Sequence, residues 1–149
     1  MDYLEIVLRL TASVFVGGLI GLDRNLHGKP TGIRTLGLVS FAAALVTLSL
    51  THVPDIEGNG EALARVLQGT VQGVLVGIGF LGGGILLRDL ENHKVFNLTS
   101  AAEVWAVAAM GLATACAPWA IVGLGVVIFI VVMVLLRMIE MKFHLKDHS

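Results

Sequence analysis

A carboxylate lies inside an apolar stretch near residue 100, where it could serve ion chemistry within a membrane. Glu103 is flanked by alanine, valine and tryptophan, and hydroxyl or thioether side chains recur at helical spacing around it, at Thr99, Ser100, Met110 and Thr114. A carboxylate in hydrocarbon is costly unless it is protonated, paired or facing a wet cavity. We therefore expect Glu103 to face the interior of a helix bundle.

Two interpretations of Glu103 remain open. It could line a cation or proton path, or it could be a structural carboxylate neutralised by Arg34 or Arg88. Mg²⁺ prefers near-octahedral oxygen ligands. Glu103 is the best candidate ligand, with hydroxyls beside it and Asp23 and Asp89 at the membrane border. No resident cofactor is expected, and Mg²⁺ enters only as a possible substrate or ligand.

Charged residues crowd the short segment that follows the first apolar stretch. These are Asp23, Arg24, His27, Lys29 and Arg34, and Pro30 and Gly32 shape the turn among them. The cluster is either a binding surface or an interhelical salt-bridge cluster. Glu5 and Arg9 lie four residues apart, a spacing that predicts an interfacial ion pair on one helix.

The elements that position these residues are membrane-spanning helices. The chain has 149 residues, of which 56% are hydrophobic and 14% charged, with a mean hydropathy of +0.87. Five stretches are long enough to span a bilayer. They are residues 4–22, 33–50, 66–87, 98–117 and 119–136. The sequence thus predicts one all-α polytopic domain of five transmembrane helices over residues 1–149, surrounded by lipid.

Glycine is concentrated in the third of these stretches. Gly69, Gly73 and Gly77 fall on one helical face, where a second helix is expected to pack closely. Further glycines assigned to helix packing are Gly17, Gly21, Gly79 and Gly82. The partner of such a face is either another copy of the chain or another membrane protein.

The distribution of basic residues predicts the orientation. Eight of them fall on one side of the predicted bundle, against Arg65 alone on the other: Arg24, Lys29, Arg34, Arg88, Lys94, Arg137, Lys142 and Lys146. By the positive-inside rule, the first side is cytoplasmic. The amino terminus is then outside and the carboxy terminus inside.

Several functions are not expected from this sequence. Gly77, Gly79 and Gly82 form a G-x-G-x-x-G pattern, but it lies within a spanning segment instead of after a strand. No spacing of nucleophile, base and oxyanion donor indicates an enzyme. A net charge of −1 without a basic cluster argues against nucleic-acid binding.

Three blocks of the sequence resemble the MgtC/SapB family of bacterial transmembrane proteins. They are GGLIGLDRNLHGKPTGIRTLGLV at residues 17–39, GIGFLGGGILLRD at 77–89 and NLTSAAEVWAVAAMGLA at 97–113. The matched positions include Asp23, Arg24 and Arg34 in the first block and Trp105 in the third. Gly83 stands where the family has alanine, and Glu103 stands where a small or hydroxyl residue is expected.

The resemblance implies a multi-pass protein of the bacterial inner membrane. The family is associated with magnesium homeostasis, with growth at low magnesium and with Mg²⁺ transport. Its best-known members carry a soluble carboxy-terminal domain, so a short member without that domain is expected here. Two functions remain open: possible Mg²⁺ transport, or a non-transporting regulator that binds and modulates another membrane protein.

Overall fold

Five long helices form the protein, as predicted. The computed structural model describes residues 2–26, 28–29, 31–54, 56, 58–86 and 98–144. The helices in that part of the chain are α1 (Tyr3–Leu26), α2 (Ile33–Thr51), α3 (Gly60–Leu86), α4 (Leu98–Cys116) and α5 (Trp119–His144). Each is long and apolar enough to cross a membrane. The prediction of an all-α bundle with five spans is confirmed.

Local side-chain chemistry sets the helix ends. Asn59 precedes α3, and its Oδ1 accepts a hydrogen bond from the Ala62 amide at 3.2 Å, which caps the helix. Glu61 and Arg65 form an ion pair of 2.6 Å one turn apart, so α3 begins earlier than the apolar run that predicts it. Pro118 separates α4 from α5, because proline cannot continue the hydrogen-bond ladder of a helix.

The core lies where α1, α2 and α4 meet. α4 contacts each of the other four helices. Half of the most apolar segment of α4 is buried inside the protein, against 11% of the corresponding segment of α3 and 6% of that of α5. Leu36 of α2 and Val104 and Val107 of α4 are almost fully buried at this junction. α1, α2 and α4 therefore form a packed unit, and α3 and α5 lie around it with most of their surface turned outward.

Glycines allow the three central helices to approach closely. A Cβ atom at Gly17 would overlap the Leu36 carbonyl oxygen, and one at Gly21 would overlap the backbone of Ile33. Both glycines were assigned to helix packing from the sequence. Gly111, which was not, makes the same kind of contact between α4 and the backbone of Ser40 on α2.

The glycines of α3 behave differently. Among the residues that the structure describes, no atom beyond the nearby backbone of α3 itself lies within 4 Å of a Cβ built at Gly69, Gly73, Gly77 or Gly79. A Cβ at Gly82 would make an ordinary contact of 3.5 Å with the Ala101 Cβ. The expected tight packing on the Gly69–Gly73–Gly77 face is therefore not made by another described helix of the same chain, and it stays a prediction about contact with a second molecule.

Candidate functional site

Arg24 is the centre of a buried polar cluster. It lies in the last turn of α1 and is 1% exposed. Its Nη1 donates to Oε2 of Glu103, its Nη2 donates to the Ser100 hydroxyl at 2.6 Å, and its Nε donates to the Thr31 carbonyl oxygen at 3.0 Å. One guanidinium therefore joins the end of α1, the loop before α2 and the beginning of α4.

The loop between α1 and α2 is bent to meet this guanidinium. Thr31 has a φ of 63°, and Gly28 has a φ of 62°. Glycine adopts this left-handed region freely, but a β-branched residue such as threonine is strained there. Because the Thr31 carbonyl accepts a hydrogen bond from Arg24, the strained conformation is tied to the same cluster.

Glu103 is the acidic member of the cluster, and its described partner is an arginine that was not predicted to pair with it. It is 2% exposed, facing the interior as expected, and it pairs with Arg24. Arg34 lies in the first turn of α2 and is exposed, whereas the last turn of α1 lies against the first turns of α4. Arg88 lies outside the described residues.

The remaining predicted site residues divide between the cluster and the surface. Ser100 is buried in the cluster, whereas Thr99 is exposed. Asp23 is exposed and lies 3.6 Å from Nη1 of Arg137 on α5. Asp89, His27 and Pro30 fall outside the described residues.

One buried oxygen atom of the cluster lacks a described hydrogen-bond partner. Within the described part of the chain, Oε1 of Glu103 has no hydrogen-bond partner, although it is buried. Outside the cluster, the Oγ of Ser40 is also buried without a described partner. Other buried hydroxyls bond within their own helices: Ser13 donates to the Leu10 carbonyl at 2.7 Å, and Thr114 donates to that of Gly111 at 2.7 Å. In the same described residues, no three His, Cys, Asp or Glu side chains are grouped to hold a metal ion.

A second buried arginine lies at the opposite end of α4. Arg9 forms the predicted ion pair with Glu5, at 3.0 Å. Its Nη1 also donates to the carbonyl oxygens of Thr114 and Ala117, at 2.9 and 3.0 Å, and its guanidinium lies 5.0 Å from the centre of the Trp119 ring. Arg9 therefore caps the carboxyl end of α4, where free carbonyls and the helix dipole favour a cation.

Sequence reasoning missed this capping role because the spacing to Glu5 explained Arg9 without it. The available signal was an arginine placed well inside a predicted span, where a charge needs more than one partner. Arg24 was likewise assigned to a border cluster, and only the crossing of α1 and α4 brings it to Glu103.

The fold and the cluster define a class: a polytopic helical membrane protein whose central helices are joined by a buried arginine–glutamate pair. The sequence model of the MgtC family matches residues 10–142. The chain belongs to the MgtC family.

Similar proteins come from several bacteria. Protein SrpB of Synechococcus elongatus is 39% identical over 79% of this chain and 67% of its own length. Protein MgtC of Salmonella typhimurium is 36% identical over 71% of the chain, and YhiD of Escherichia coli K12, provisionally named a magnesium transporter, is 30% identical over 72%. The matched regions span only 41% and 49% of those two relatives. No solved structure matches the chain.

Proposed function

We propose that this protein acts in magnesium homeostasis in a bacterial inner membrane, as a regulator that binds and modulates another membrane protein. Membership of the MgtC family supports the link to magnesium, as does the name of the E. coli relative YhiD. The choice of regulation over transport rests on two regions of the structure, the Arg24 cluster and the outer face of α3.

The Arg24 cluster is poorly suited to conduct Mg²⁺ through one copy of the chain. Glu103 is neutralised by a guanidinium, which remains protonated in proteins, so an entering cation would have to displace a buried positive charge. Mg²⁺ also requires about six oxygen ligands and gives up its waters reluctantly. The hydroxyl of Ser100, the nearest candidate ligand, already accepts a hydrogen bond from Arg24.

The observation that carries the proposal is the unpartnered face of α3. Gly69, Gly73 and Gly77 are exposed along it, and Gln68 and Gln72 are exposed on the adjoining surface of the helix, about 100° around from the glycines. With Leu67, Val71, Leu75 and Val76, these two glutamines line an open groove of about 630 Å³. A carboxamide facing hydrocarbon lacks hydrogen-bond partners, and glycines allow a second backbone to come close. The face is therefore suited to a transmembrane helix of another protein that offers polar groups at matching depth.

The experiment compares two substitutions on α3 in cells that depend on this protein for growth at limiting magnesium. Gly73→Leu fills the face, whereas Val74→Leu places the same side chain at the neighbouring, partly buried position and adds only one carbon. Because Gly73 is exposed and no described atom beyond the backbone of its own helix lies within 4 Å of a Cβ there, Gly73→Leu is expected to fold and insert normally. Growth should be lost in Gly73→Leu and retained in Val74→Leu.

Gln72→Leu provides an independent variant on the exposed side of α3, since it replaces the carboxamide with an apolar side chain of similar size. We expect a partner protein captured by cross-linking with wild type to be lost with Gln72→Leu. Normal growth and capture with both Gly73→Leu and Gln72→Leu would overturn the proposal.

Transport by an assembly of several copies is the second candidate, and one observation favours it. The buried Oε1 of Glu103 has no described hydrogen-bond partner, so it could accept a hydrogen bond from a water carried by Mg²⁺. Purified protein in liposomes containing a magnesium-sensitive dye separates the two functions. Magnesium influx that Glu103→Gln abolishes would favour transport, and a flux equal to that of empty liposomes would favour regulation.

A further inference from the structure

A second groove lies on the outer surface between α1 and α2, away from the α3 face. Its volume is about 340 Å³, and its lining is apolar except at one end. The lining residues are Val14, Ile33, Arg34, Gly37, Leu38 and Phe41. Gly37 and its neighbour across the interface, Gly18, have no side chains, so the two helices leave a channel on their lipid-facing side.

The polar end of this groove is positively charged. Arg34 lies in the first turn of α2 and is exposed, and Lys29, also exposed, lies in the loop just before. The described carboxylates at this end of the bundle are already engaged, Asp23 with Arg137 and Glu103 with Arg24. An apolar channel that ends at a guanidinium with no carboxylate partner among the described residues is complementary to an amphiphile with an anionic head.

The length of the groove distinguishes a lipid from a protein helix. From Arg34 to Phe41 the helix rises about 10 Å, at ~1.5 Å per residue. That is roughly a third of a hydrocarbon core of about 30 Å, beginning at the charged end. A partner helix would contact α1 and α2 over most of the membrane, whereas the upper part of one acyl chain next to its headgroup fits this length.

We propose that the α1–α2 groove is a binding site for an anionic phospholipid, with its phosphate at Arg34 and one acyl chain along Gly37 and Phe41. This site is independent of the function proposed for α3.

The test uses the full chain reconstituted in nanodiscs that contain phosphatidylcholine and phosphatidylglycerol in equal amounts, with retained lipids counted by native mass spectrometry. Wild type is expected to retain phosphatidylglycerol preferentially. Arg34→Gln keeps a long polar side chain without the charge, and it should reduce that preference about fivefold. Arg65→Gln is the matched control, because that arginine is exposed on α3 and far along the chain from the groove.

Val14→Phe tests the apolar part of the site. The larger side chain should occupy the groove and reduce retention of both lipids, while the protein remains folded because Val14 is exposed. An unchanged preference in Arg34→Gln would overturn the proposal, as would an equal loss in Arg65→Gln. Inorganic phosphate at millimolar concentration should not displace the lipid; displacement by phosphate alone would indicate a simple anion site and would also overturn it.

Discussion

Removing the charge of Glu103 should destabilise the protein because it strands Arg24 in the interior. Breaking a buried ion pair by changing one partner typically costs about 3–5 kcal/mol. In Glu103→Gln, the Arg24 guanidinium keeps its hydrogen bonds to Ser100 and Thr31, and the new amide oxygen can still accept one from it. The free energy of unfolding should therefore fall by about 3 kcal/mol. Glu103→Leu removes that acceptor as well and should approach about 5 kcal/mol.

Unfolding in mixed micelles, titrated with a denaturing detergent, measures these differences. A loss of about 3 kcal/mol changes the unfolding equilibrium by roughly two orders of magnitude, which such a titration resolves. The matched control is Glu61→Gln, which breaks another Glu–Arg pair whose side chains are both 77% exposed and should change stability by less than about 1 kcal/mol.

The double variant Arg24→Met/Glu103→Leu makes the test specific for the pair. With the cation removed as well, no unpaired charge is left in the Arg24 cluster, and most of the lost stability should return. A Glu103→Gln protein as stable as wild type would refute the reasoning, and so would a double variant whose loss equals the sum of the two single losses.

Three further predictions concern other parts of the molecule. Gly111→Ala should lower the free energy of unfolding by about 1–3 kcal/mol, because the new Cβ would overlap the Ser40 backbone, whereas Gly79→Ala should leave it unchanged in the same titration. Arg9→Gln should lower the free energy of unfolding by about 2 kcal/mol and increase proteolysis near Trp119, since the carbonyls of Thr114 and Ala117 at the end of α4 lose a charged donor; Arg65→Gln should do neither. A reporter fused after Ser149 should read as cytoplasmic and one inserted near Glu57 as external; the opposite pattern would contradict the charge-based orientation.

The helices themselves were predictable from the sequence because membrane spans are recognisable by their length and apolar composition. The prediction was least accurate at their ends: α3 begins at Gly60 and α5 continues to His144, beyond the apolar runs. Charged residues such as Glu61 and Arg65 interrupt the apolar run from which a span is predicted. They do not interrupt the helix, because their side chains pair with each other one turn apart.

The partner of Glu103 was harder to predict because it depends on how helices cross. Burial of the carboxylate follows from its cost in hydrocarbon, which the sequence shows. Arg24, Arg34 and Arg88 were all at the same predicted border, so composition could not distinguish them. Arg24 is buried where α1 packs closely against α2 at Gly17 and Gly21, whereas Arg34 is exposed, and that difference depends on how the backbones pack.

The glycines show why a single pattern has two outcomes. Gly17 and Gly21 are spaced four apart, as are Gly69 and Gly73, yet only the first pair has a neighbour within the described chain. Spacing indicates that a backbone can be approached; it does not indicate which helix approaches it.

The contrast between the packed glycines of the central helices and the exposed glycines of α3 is relevant to function. The polar groups of α1, α2 and α4 hold those helices to one another: Arg24 and Arg9 tie α1 to both ends of α4, and Gly17 and Gly111 bring both helices against α2. A unit locked in this way is a poor candidate for the movements that alternating access would require. α3 keeps its glycines and glutamines facing outward, so a partner could bind there without disturbing the locked helices. This arrangement supports the proposed regulation through α3.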